Sequence, residues 1–528
     1  MALRRPSPES LILAALQLVA LGWVASSLLV TSGFPLDDAW IHQVVARNLA
    51  TRGVYGVTPG AHSSGTSSLL WTLLLALGQL LRAPPVAWTL ALNAALYLAF
   101  GQWLLRAARD DGMSPPRALA LAAVATCTGN VAWFALSGME ATLLCALSAA
   151  AVSTWFSAAP VWRSALPLSL LAVTRPDALA LPALLALRHR SAGRSRADAM
   201  KVVAAPMVTF TAWVALNLRL LGTALPSTLA GRRWLNNLGA PPYGLRSLRW
   251  VVRRWPMRLG EYTLGTANAV AITLAMGVVA VGVAALVRDR RHRLTTLAAW
   301  SLAHVLTFAV LFPVTGHGGR YQPLVPSLFL PLALAGLWAL AEAATKRLPR
   351  PPARLGALVA APVALVAALS LARWSAITES GVAHIEHTER AMGEWIRDHL
   401  PREARVATFD LGAITYFSGR DVLDLGGLVD PALAPILQRG EVASYMSARG
   451  VTHVVIPVGH NDRHRDGLNM GYRLALHGNP TVRLTPVHRE VTPWELWYPA
   501  ALPTGHASPQ QALYRFEHRP AAPHWGSK

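Results

Sequence analysis

The chain has 528 residues, of which 53% are hydrophobic and only 14% are charged, and its mean hydropathy is +0.36. A soluble domain of this length needs far fewer apolar residues, so the composition excludes an ordinary soluble protein and indicates a membrane protein. The net charge of +21 alone would suggest a nucleic-acid partner, but the arginines stand in short segments between apolar runs. That distribution is typical of cytoplasmic loops, so we expect contact with membrane lipids and no nucleic acid.

Apolar runs near the roughly 20 residues that cross a bilayer recur along most of the chain. They lie at about 9–30, 86–106, 117–136, 141–159, 202–221, 263–287, 295–313, 322–343 and 355–372. With the basic loops in the cytoplasm, the shorter run 67–82 has to stay outside as a re-entrant or juxtamembrane helix. The run 164–187 has to divide into two short helices at "TRPD", because Pro176 interrupts it. We therefore predict a polytopic α-helical membrane protein with about 11 transmembrane helices, the first of them a retained signal anchor.

The composition changes from apolar to mixed at about residue 374. A helix-like segment, 387–401, is followed by short strand-like runs at 404–409, 420–425, 452–457 and 512–518. We predict a transmembrane catalytic domain over 1–373, with a first periplasmic loop and its juxtamembrane helices at 31–85. A small extracytoplasmic α/β domain is predicted over 374–528.

Two adjacent acids, Asp37 and Asp38, open the segment "LDDAWIHQVVARNLA", whose apolar residues gather on one side at helical spacing. We expect an amphipathic helix on the outer membrane surface, with Asp37 as its N-cap and Asp38 in its first turn. Asp37, which precedes the regular helix, then turns into a cavity as the general base. Asp38 orients the acceptor, supports Asp37 or binds a metal. Helix capping without catalysis is the alternative.

Further polar residues fall in the segments that this threading places on the same outer face. A polar turn follows the acidic helix, Glu140 begins an apolar helix, and charged residues flank Pro176 where two short helices meet. The candidate substrate-binding residues are His42, Ser64, Gly65, Thr66, Glu140, Asp177 and Asp410. Their ordinary alternatives are a loop, a helix cap, an ion pair with a sequence neighbour and, for Asp410, a turn between strand and helix.

Positive charge on this outer face is contrary to the topology rule and suggests attraction to an anion. Arg175 and Arg320 stand at turns where the chain meets the membrane, at the level of a lipid phosphate. The candidate donor-phosphate-binding residues are Arg175, Arg320, His317, Arg232 and Arg233. Binding of lipid headgroups, or a lone snorkelling arginine, is the alternative.

With these motifs the sequence resembles the GT-C superfamily of integral-membrane glycosyltransferases that use polyprenyl-phosphate sugars. The matching segments, between about 31 and 345, are "LDDAWIHQVVARNLA", "SSGTSSLLW", "SGMEATLL", "TRPD", "GTALPSTLAGR" and "GRYQPLVP". The pattern is most similar to actinobacterial cell-wall arabinofuranosyltransferases, and "FDLGAITYFSGRDVLDLGGLVDP" resembles their C-terminal periplasmic domain. The resemblance implies a GT-C fold, a polyprenyl-phosphate sugar donor from the bilayer, an acceptor from the periplasm, and a first-loop aspartate as catalytic base.

Together these features predict an inverting glycosyltransferase that acts on a cell-envelope glycan or glycolipid at the outer face of the cytoplasmic membrane. A carboxylate has to take the proton of the acceptor hydroxyl, and arginines or a divalent metal have to stabilise the leaving phosphate. The motifs require no cofactor, although the acids leave Mg²⁺ or Mn²⁺ open. A lipid or polysaccharide transporter, with ionisable residues near the midplane and internal repeats, is one alternative. A non-catalytic scaffold for envelope assembly is the other.

Overall fold

The computed structural model describes residues 6–29, 32–58, 61–63, 65–226, 228, 231, 248–312, 314–346, 355–430, 432–459, 470–493 and 508–519. Within these ranges a bundle of apolar helices is followed by a small sheet domain. The helices of the bundle are α1 Pro8–Ala25, α2 Asp37–Arg52, α3 Leu69–Leu80, α4 Pro85–Asp110, α5 Pro115–Thr126, α6 Gly129–Leu136, α7 Ala141–Trp155, α8 Trp162–Thr174, α9 Ala180–Leu187, α10 Arg196–Leu221, α11 Leu248–Thr263, α12 Ala269–Arg288, α13 His292–Leu311, α14 Leu324–Thr345 and α15 Leu355–Ile385.

Seven helices in the described part of the chain are long and apolar enough to cross a membrane. They are α1, α4, α10, α12, α13, α14 and the stretch Gly356–His399, and α5 with α6 adds an eighth if this pair, bent by 57°, is one span. Large apolar side chains such as Val208 and Leu274 stay exposed on them, at 69% and 67%, as expected for residues that face lipid. The chain is therefore a polytopic helical membrane protein.

The remaining predicted crossings are shorter helices. α7, α8 and α9 have 15, 13 and 8 residues, fewer than the roughly 20 that a straight span needs. α3, which was not predicted to cross, has 12 residues. Between α8 and α9 the backbone of Arg175 is extended, with φ −149° and ψ 107°, before the 3₁₀ turn Pro176–Leu179. A residue before proline is driven out of the helical region, which explains why α8 ends here.

The sheet domain begins where α15 continues through a π-helical segment, Glu386–Arg390, into α16, Ala391–His399. α15 runs unbroken across residue 374, where the sequence suggests a domain boundary, so one helix is shared by both parts. The strands are β1 Val406–Thr408, β2 Val422–Asp424, β3 His453–Val458, β4 Val482–Val491 and β5 Gln510–His518. The short helices that accompany them are α17 Gly412–Ser418, α18 Leu433–Arg439, α19 Val442–Ala448 and α20 Met470–Arg473.

The described strands form one mixed sheet in the order β2-β1-β3-β5-β4. β1 lies between β2 and β3 and is parallel to both, whereas β5 runs antiparallel to β3 and β4. Four strands fall in the runs that the sequence indicated. β4 was not predicted, because Pro486 interrupts its pattern, and the register shifts between Pro486 and His488. This confirms the small α/β domain after the helical bundle.

The environment of α2 corrects one expectation. α2 packs between α3 and α17, and nine of its 16 residues are buried, including the polar His42 and Gln43. Its apolar stripe meets the sheet domain, since the Trp40 ring lies 4.9 Å from that of Tyr416 and 4.7 Å from that of Phe417. Protein therefore covers the face that was expected to touch lipid.

Candidate active site

A cavity of about 500 Å³ lies where α2, the break between α8 and α9, and the turn before α14 meet. Its acidic, basic and histidine lining residues are Asp38, His42, Glu140, Arg175, Asp177 and Arg320. Large apolar side chains of the membrane helices and the loops beside them form another part of its wall. These are Phe210, Leu225, Phe308, Leu311 and Phe312. The cavity therefore combines paired charges with an apolar wall.

Asp38 and Arg320 form one of the ion pairs in this cavity, with Nη2 of Arg320 donating to Oδ2 of Asp38. The guanidinium side chain is 3% exposed and that of Asp38 is 19% exposed, so the carboxylate is the more accessible partner. Arg320 follows the turn His317–Gly319. Gly318 in this turn has φ +62°, and a methyl group there would lie 2.6 Å from the Trp133 ring. Glycine is therefore required for the backbone that places Arg320.

Arg175 is held by two carboxylates. Its Nη1 donates to Oε1 of Glu140 at 3.3 Å, and its Nε donates to Oδ1 of Asp177 at 3.0 Å. The guanidinium carbon also lies 5.8 Å and 5.6 Å from the centroids of the Phe308 and Tyr321 rings. Glu140 occupies the N-cap position of α7 but makes no side-chain capping bond. Its carboxylate binds Arg175 instead, so helix capping does not explain this residue.

His304 in α13 belongs to the same network and was not predicted from the sequence. It is fully buried, its Nε2 lies 2.6 Å from Oδ2 of Asp177, and its ring stacks on Trp300 at 4.7 Å. The available signal was an ionisable residue inside the apolar run "SLAHVLTFAV". His304 fixes the Asp177 carboxylate, which in turn holds Arg175.

Asp37 does not occupy the position expected from the sequence. The N-cap of α2 is Leu36, and Asp37 is the first helical residue. The Asp37 carboxylate accepts the backbone N–H groups of Gly412 at 2.8 Å and Ala413 at 2.7 Å, at the start of α17. Successive residues on a helix project about 100° apart, so the two adjacent acids point in different directions. Asp38, and not Asp37, lines the cavity.

Asp410 also lies away from the cavity lining, in a cluster with Asp37 and Glu389, of which Glu389 is buried and the two aspartates are half-buried. Nε2 of Gln511 donates to Oδ2 of Asp410 at 2.5 Å and to Oε1 of Glu389 at 3.3 Å. Burial, and after it the charge of Asp410, raises the pKa of Asp37 to about 7. These groups belong to α2, to the segment after α15 and to the sheet domain, so the cluster lies at the contact between the two parts of the protein.

Other predicted site residues complete the polar wall or lie beside it. Gly65 and Thr66 line the cavity, and the Thr66 hydroxyl is 2.9 Å from that of Tyr55. His42 lines it too, with Nε2 3.9 Å from Oε2 of Glu140, and burial lowers the pKa of this histidine. His317 is not among the described lining residues, although it begins the turn before Arg320. Ser64, Arg232 and Arg233 lie outside the described residues.

The acids that line the cavity are engaged by arginines and are not grouped as metal ligands. Asp38 pairs with Arg320, and Glu140 pairs with Arg175, so each of these carboxylates already neutralises a guanidinium. Among the described residues, no group of three or more His, Cys, Asp or Glu side chains is placed to hold a metal ion. Mg²⁺ and Mn²⁺ take about six oxygen ligands, several of them carboxylates or water.

Comparison with solved structures identifies the fold. The structure is similar to that of ArnT from Cupriavidus metallidurans bound to undecaprenyl phosphate, with a TM-score of 0.57 and 12% identity, over 96% of this chain and 97% of that one. It is also similar to the Archaeoglobus fulgidus oligosaccharyltransferase in the apo form, with a TM-score of 0.50 and 12% identity, over 84% and 69% of the two chains. The chain therefore has the GT-C fold that its sequence predicts.

Arabinofuranosyltransferase AftD from mycobacteria is 17% identical over 96% of this chain and 40% of that one, with a TM-score of 0.48. A particular closeness to the arabinan enzymes stays a prediction. Residues 377–514 match the family described as a domain of unknown function (DUF8728), which spans the end of α15 and most of the sheet domain. No curated protein matches the sequence.

Proposed function

We propose that the protein is a glycosyltransferase that moves a sugar from a polyprenyl-phosphate donor to a hydroxyl of a cell-envelope glycan or glycolipid, at the outer face of the cytoplasmic membrane. The observation that carries the proposal is a single cavity lined by the Asp38 carboxylate and by two buried arginines, Arg175 and Arg320. The same cavity has an apolar wall from membrane helices. A base, a cationic site for phosphate and an apolar approach are what transfer from a lipid phosphate needs.

Asp38 is the general base in this mechanism, in place of Asp37. Its carboxylate accepts the proton of the acceptor hydroxyl while the hydroxyl oxygen bonds to the anomeric carbon of the donor sugar. The bond between that carbon and the phosphate oxygen breaks, and polyprenyl phosphate leaves with the electron pair. Attack from the face opposite the leaving group inverts the anomeric configuration. The ion pair with Arg320 favours the ionised carboxylate that can take the proton.

Arg175 and Arg320 bind the donor phosphate. A guanidinium presents a planar set of N–H donors that matches phosphate oxygens, and it keeps its charge at any physiological pH. Glu140 and Asp177 hold the Arg175 side chain in place before substrate arrives, so little conformational freedom is lost on binding. As the bond to the sugar breaks, these cations stabilise the growing negative charge on the phosphate. Arg232, Arg233 and His317 are proposed to guide the headgroup toward them.

The proposal is tested with the full chain in lipid nanodiscs, supplied with a panel of polyprenyl-phosphate sugars and octyl glycoside acceptors. We expect acceptor-dependent release of polyprenyl phosphate, reduced by about 100-fold or more in Asp38→Asn, the range for loss of a general base. Asp398→Asn is the matched control, because this acid is exposed on α16 and pairs with Arg397, and it should keep the wild-type rate. Transfer that persists in Asp38→Asn, or passage of intact donor across the bilayer without sugar release, would overturn the proposal.

A further inference from the structure

The loop that joins β2 to α18, residues 424–430, is organised by one buried carboxylate. We refer to it as the anchored loop. Asp424 accepts the backbone N–H groups of Gly426 at 2.7 Å, Val429 at 2.8 Å and Leu428. Its side chain is 2% exposed. Three donors that share one acceptor group fix the backbone of a short loop in a single conformation.

The far end of the anchored loop is tied as well. Oδ2 of Asp430 accepts the Tyr445 hydroxyl at 2.5 Å and Nη2 of Arg449 at 3.4 Å, and both partners belong to α19 or follow it directly. Oδ1 of Asp430 accepts the backbone N–H of Ala432 at 2.8 Å. With both ends bound inside the sheet domain, the middle of the loop is held as a rigid projection.

This projection touches the rest of the protein at two glycines. A methyl group at Gly231 would overlap the carbonyl oxygens of Gly426 and Gly427, and one at Gly65 would lie 3.1 Å from Cγ1 of Val429. The anchored loop therefore packs directly on two segments of the chain that also supply residues to the cavity wall. Between these contacts, Leu428 is 8% exposed.

Leu428 lines the cavity that holds Asp38, and it is the contribution of the sheet domain among the described lining residues. The apolar side chains of α10 and α13 also line the cavity, and on those helices Val208 and Leu302 are exposed as lipid-facing residues are. The tail of a lipid donor is compatible with that wall. The part of the cavity wall that the sheet domain supplies is then available to the acceptor.

We propose that Leu428 is a specificity-determining residue, which the anchored loop holds at the cavity so that it selects uncharged acceptor sugars. This inference rests on the proposed function. A leucine side chain offers no hydrogen bond and contacts the C–H face of a neutral sugar ring favourably. A carboxylate or phosphate brought against it would lose hydration without gaining a partner. Its bulk also limits how large an acceptor ring reaches the Asp38 carboxylate.

The test compares Leu428→Trp and Leu428→Ala with the wild type, using octyl glucoside as the neutral acceptor and octyl glucuronide as the charged one. We expect Leu428→Trp to raise the acceptor KM about tenfold or more, and Leu428→Ala to reduce the preference for the neutral acceptor by a similar factor. The affinity for undecaprenyl phosphate should stay within about twofold in both variants. Val487→Trp, an exposed apolar position on β4, controls for adding a tryptophan to the sheet domain.

The outcomes separate the two proposals. If the wild type transfers sugar but both Leu428 variants keep its acceptor KM and preference, the inference about Leu428 fails alone. If the affinity for undecaprenyl phosphate changes as much as the acceptor KM does, Leu428 lies on the donor side. That result would also overturn the inference about Leu428. If the wild type transfers no sugar at all, both proposals fail. Should Leu428→Trp not fold, Asp424→Asn replaces it, because loss of one acceptor oxygen loosens the loop and should relax acceptor preference as Leu428→Ala does.

Discussion

Asp37 and Asp38 are neighbours on one helix, yet Asp37 accepts backbone N–H groups from Gly412 and Ala413 while Asp38 pairs with Arg320. The first turn of α2 is thus held from two sides. The backbone of this turn, which carries Asp38, cannot move away from the cavity unless the contact of Asp37 with α17 also breaks. Asp37 is therefore a positioning residue for Asp38.

Asp37→Asn should reduce turnover by about tenfold, well short of the loss in Asp38→Asn. Asparagine keeps one acceptor oxygen, so one of the two backbone donors is left unsatisfied, at a cost of about 1–3 kcal/mol. Undecaprenyl-phosphate affinity should not change, because the arginines proposed to bind phosphate are untouched. Single-turnover transfer and binding measured on both variants check this. A greater loss in Asp37→Asn than in Asp38→Asn would reverse the two roles.

The stability of the protein should fall between about pH 4 and pH 7, and part of this fall should depend on Asp37. Burial and Asp410 raise its pKa to about 7, so the native carboxyl binds its proton more tightly than the unfolded chain does. The stabilisation is fully present below about pH 4 and is lost as the pH rises through 7. Thermal melting across this range should show a smaller decline in Asp37→Asn. Asp410→Asn removes the neighbouring charge and should also flatten the profile.

Arg320→Ala should weaken undecaprenyl-phosphate binding about tenfold and lower turnover further. A phosphate contact exists in the ground state and in the transition state, so binding and kcat/KM both decline. Arg320→Lys keeps the charge but not the planar donors and should restore part of the binding. Arg439→Ala, an exposed arginine paired with Glu441, is the control. Unchanged affinity in Arg320→Ala would contradict the role in phosphate binding.

Substitutions of His304 should separate positioning from packing. His304→Phe keeps a ring against Trp300 but removes the group 2.6 Å from Asp177, whereas His304→Gln keeps an N–H donor and loses the stacking. If His304 acts through Asp177 on Arg175, the phenylalanine variant should show an approximately tenfold higher donor KM and the glutamine variant should recover most of it. If His304→Phe instead keeps the wild-type donor KM while His304→Gln does not, His304 contributes only by packing.

Chelation of divalent ions should leave transfer within about twofold of the untreated rate. Asp38 and Glu140 each already pair with an arginine, and no group of three or more His, Cys, Asp or Glu side chains in the described part of the chain is placed to hold a metal ion. Activity is measured after EDTA treatment and again after Mg²⁺ or Mn²⁺ is added back. A loss of activity that either ion reverses would show that a metal takes part.

What the sequence could predict depends on how local each feature is. The spans α4, α12 and α14 follow from apolar length, and the break at Pro176 follows from local backbone sterics. The acids and arginines of the cavity were found because charge is rare in such a chain. Which acid faces the cavity could not be read in this way. It depends on the partners of α2, which lie hundreds of residues away.

The same limit applies to residues whose role depends on another group. His304 matters through Asp177 and Leu428 through the backbone that Asp424 holds, and neither relation is visible along the chain. The expectation that α2 touches lipid failed for the same reason, because an apolar stripe does not specify whether lipid or protein covers it. β4 was missed because its alternation is broken at Pro486.

The hydrogen bond between Asp37 and Gly412 joins residues 375 positions apart. A ribosome adds about 5–20 residues per second, so about 20–75 s pass between the synthesis of Asp37 and that of Gly412. Until then the first turn of α2 lacks the hydrogen bonds between Asp37 and α17, although most membrane helices have already been made. Asp38, the proposed base, is aligned only near the end of translation, and a chain that stops before α17 would insert into the membrane without these contacts on the first turn of α2.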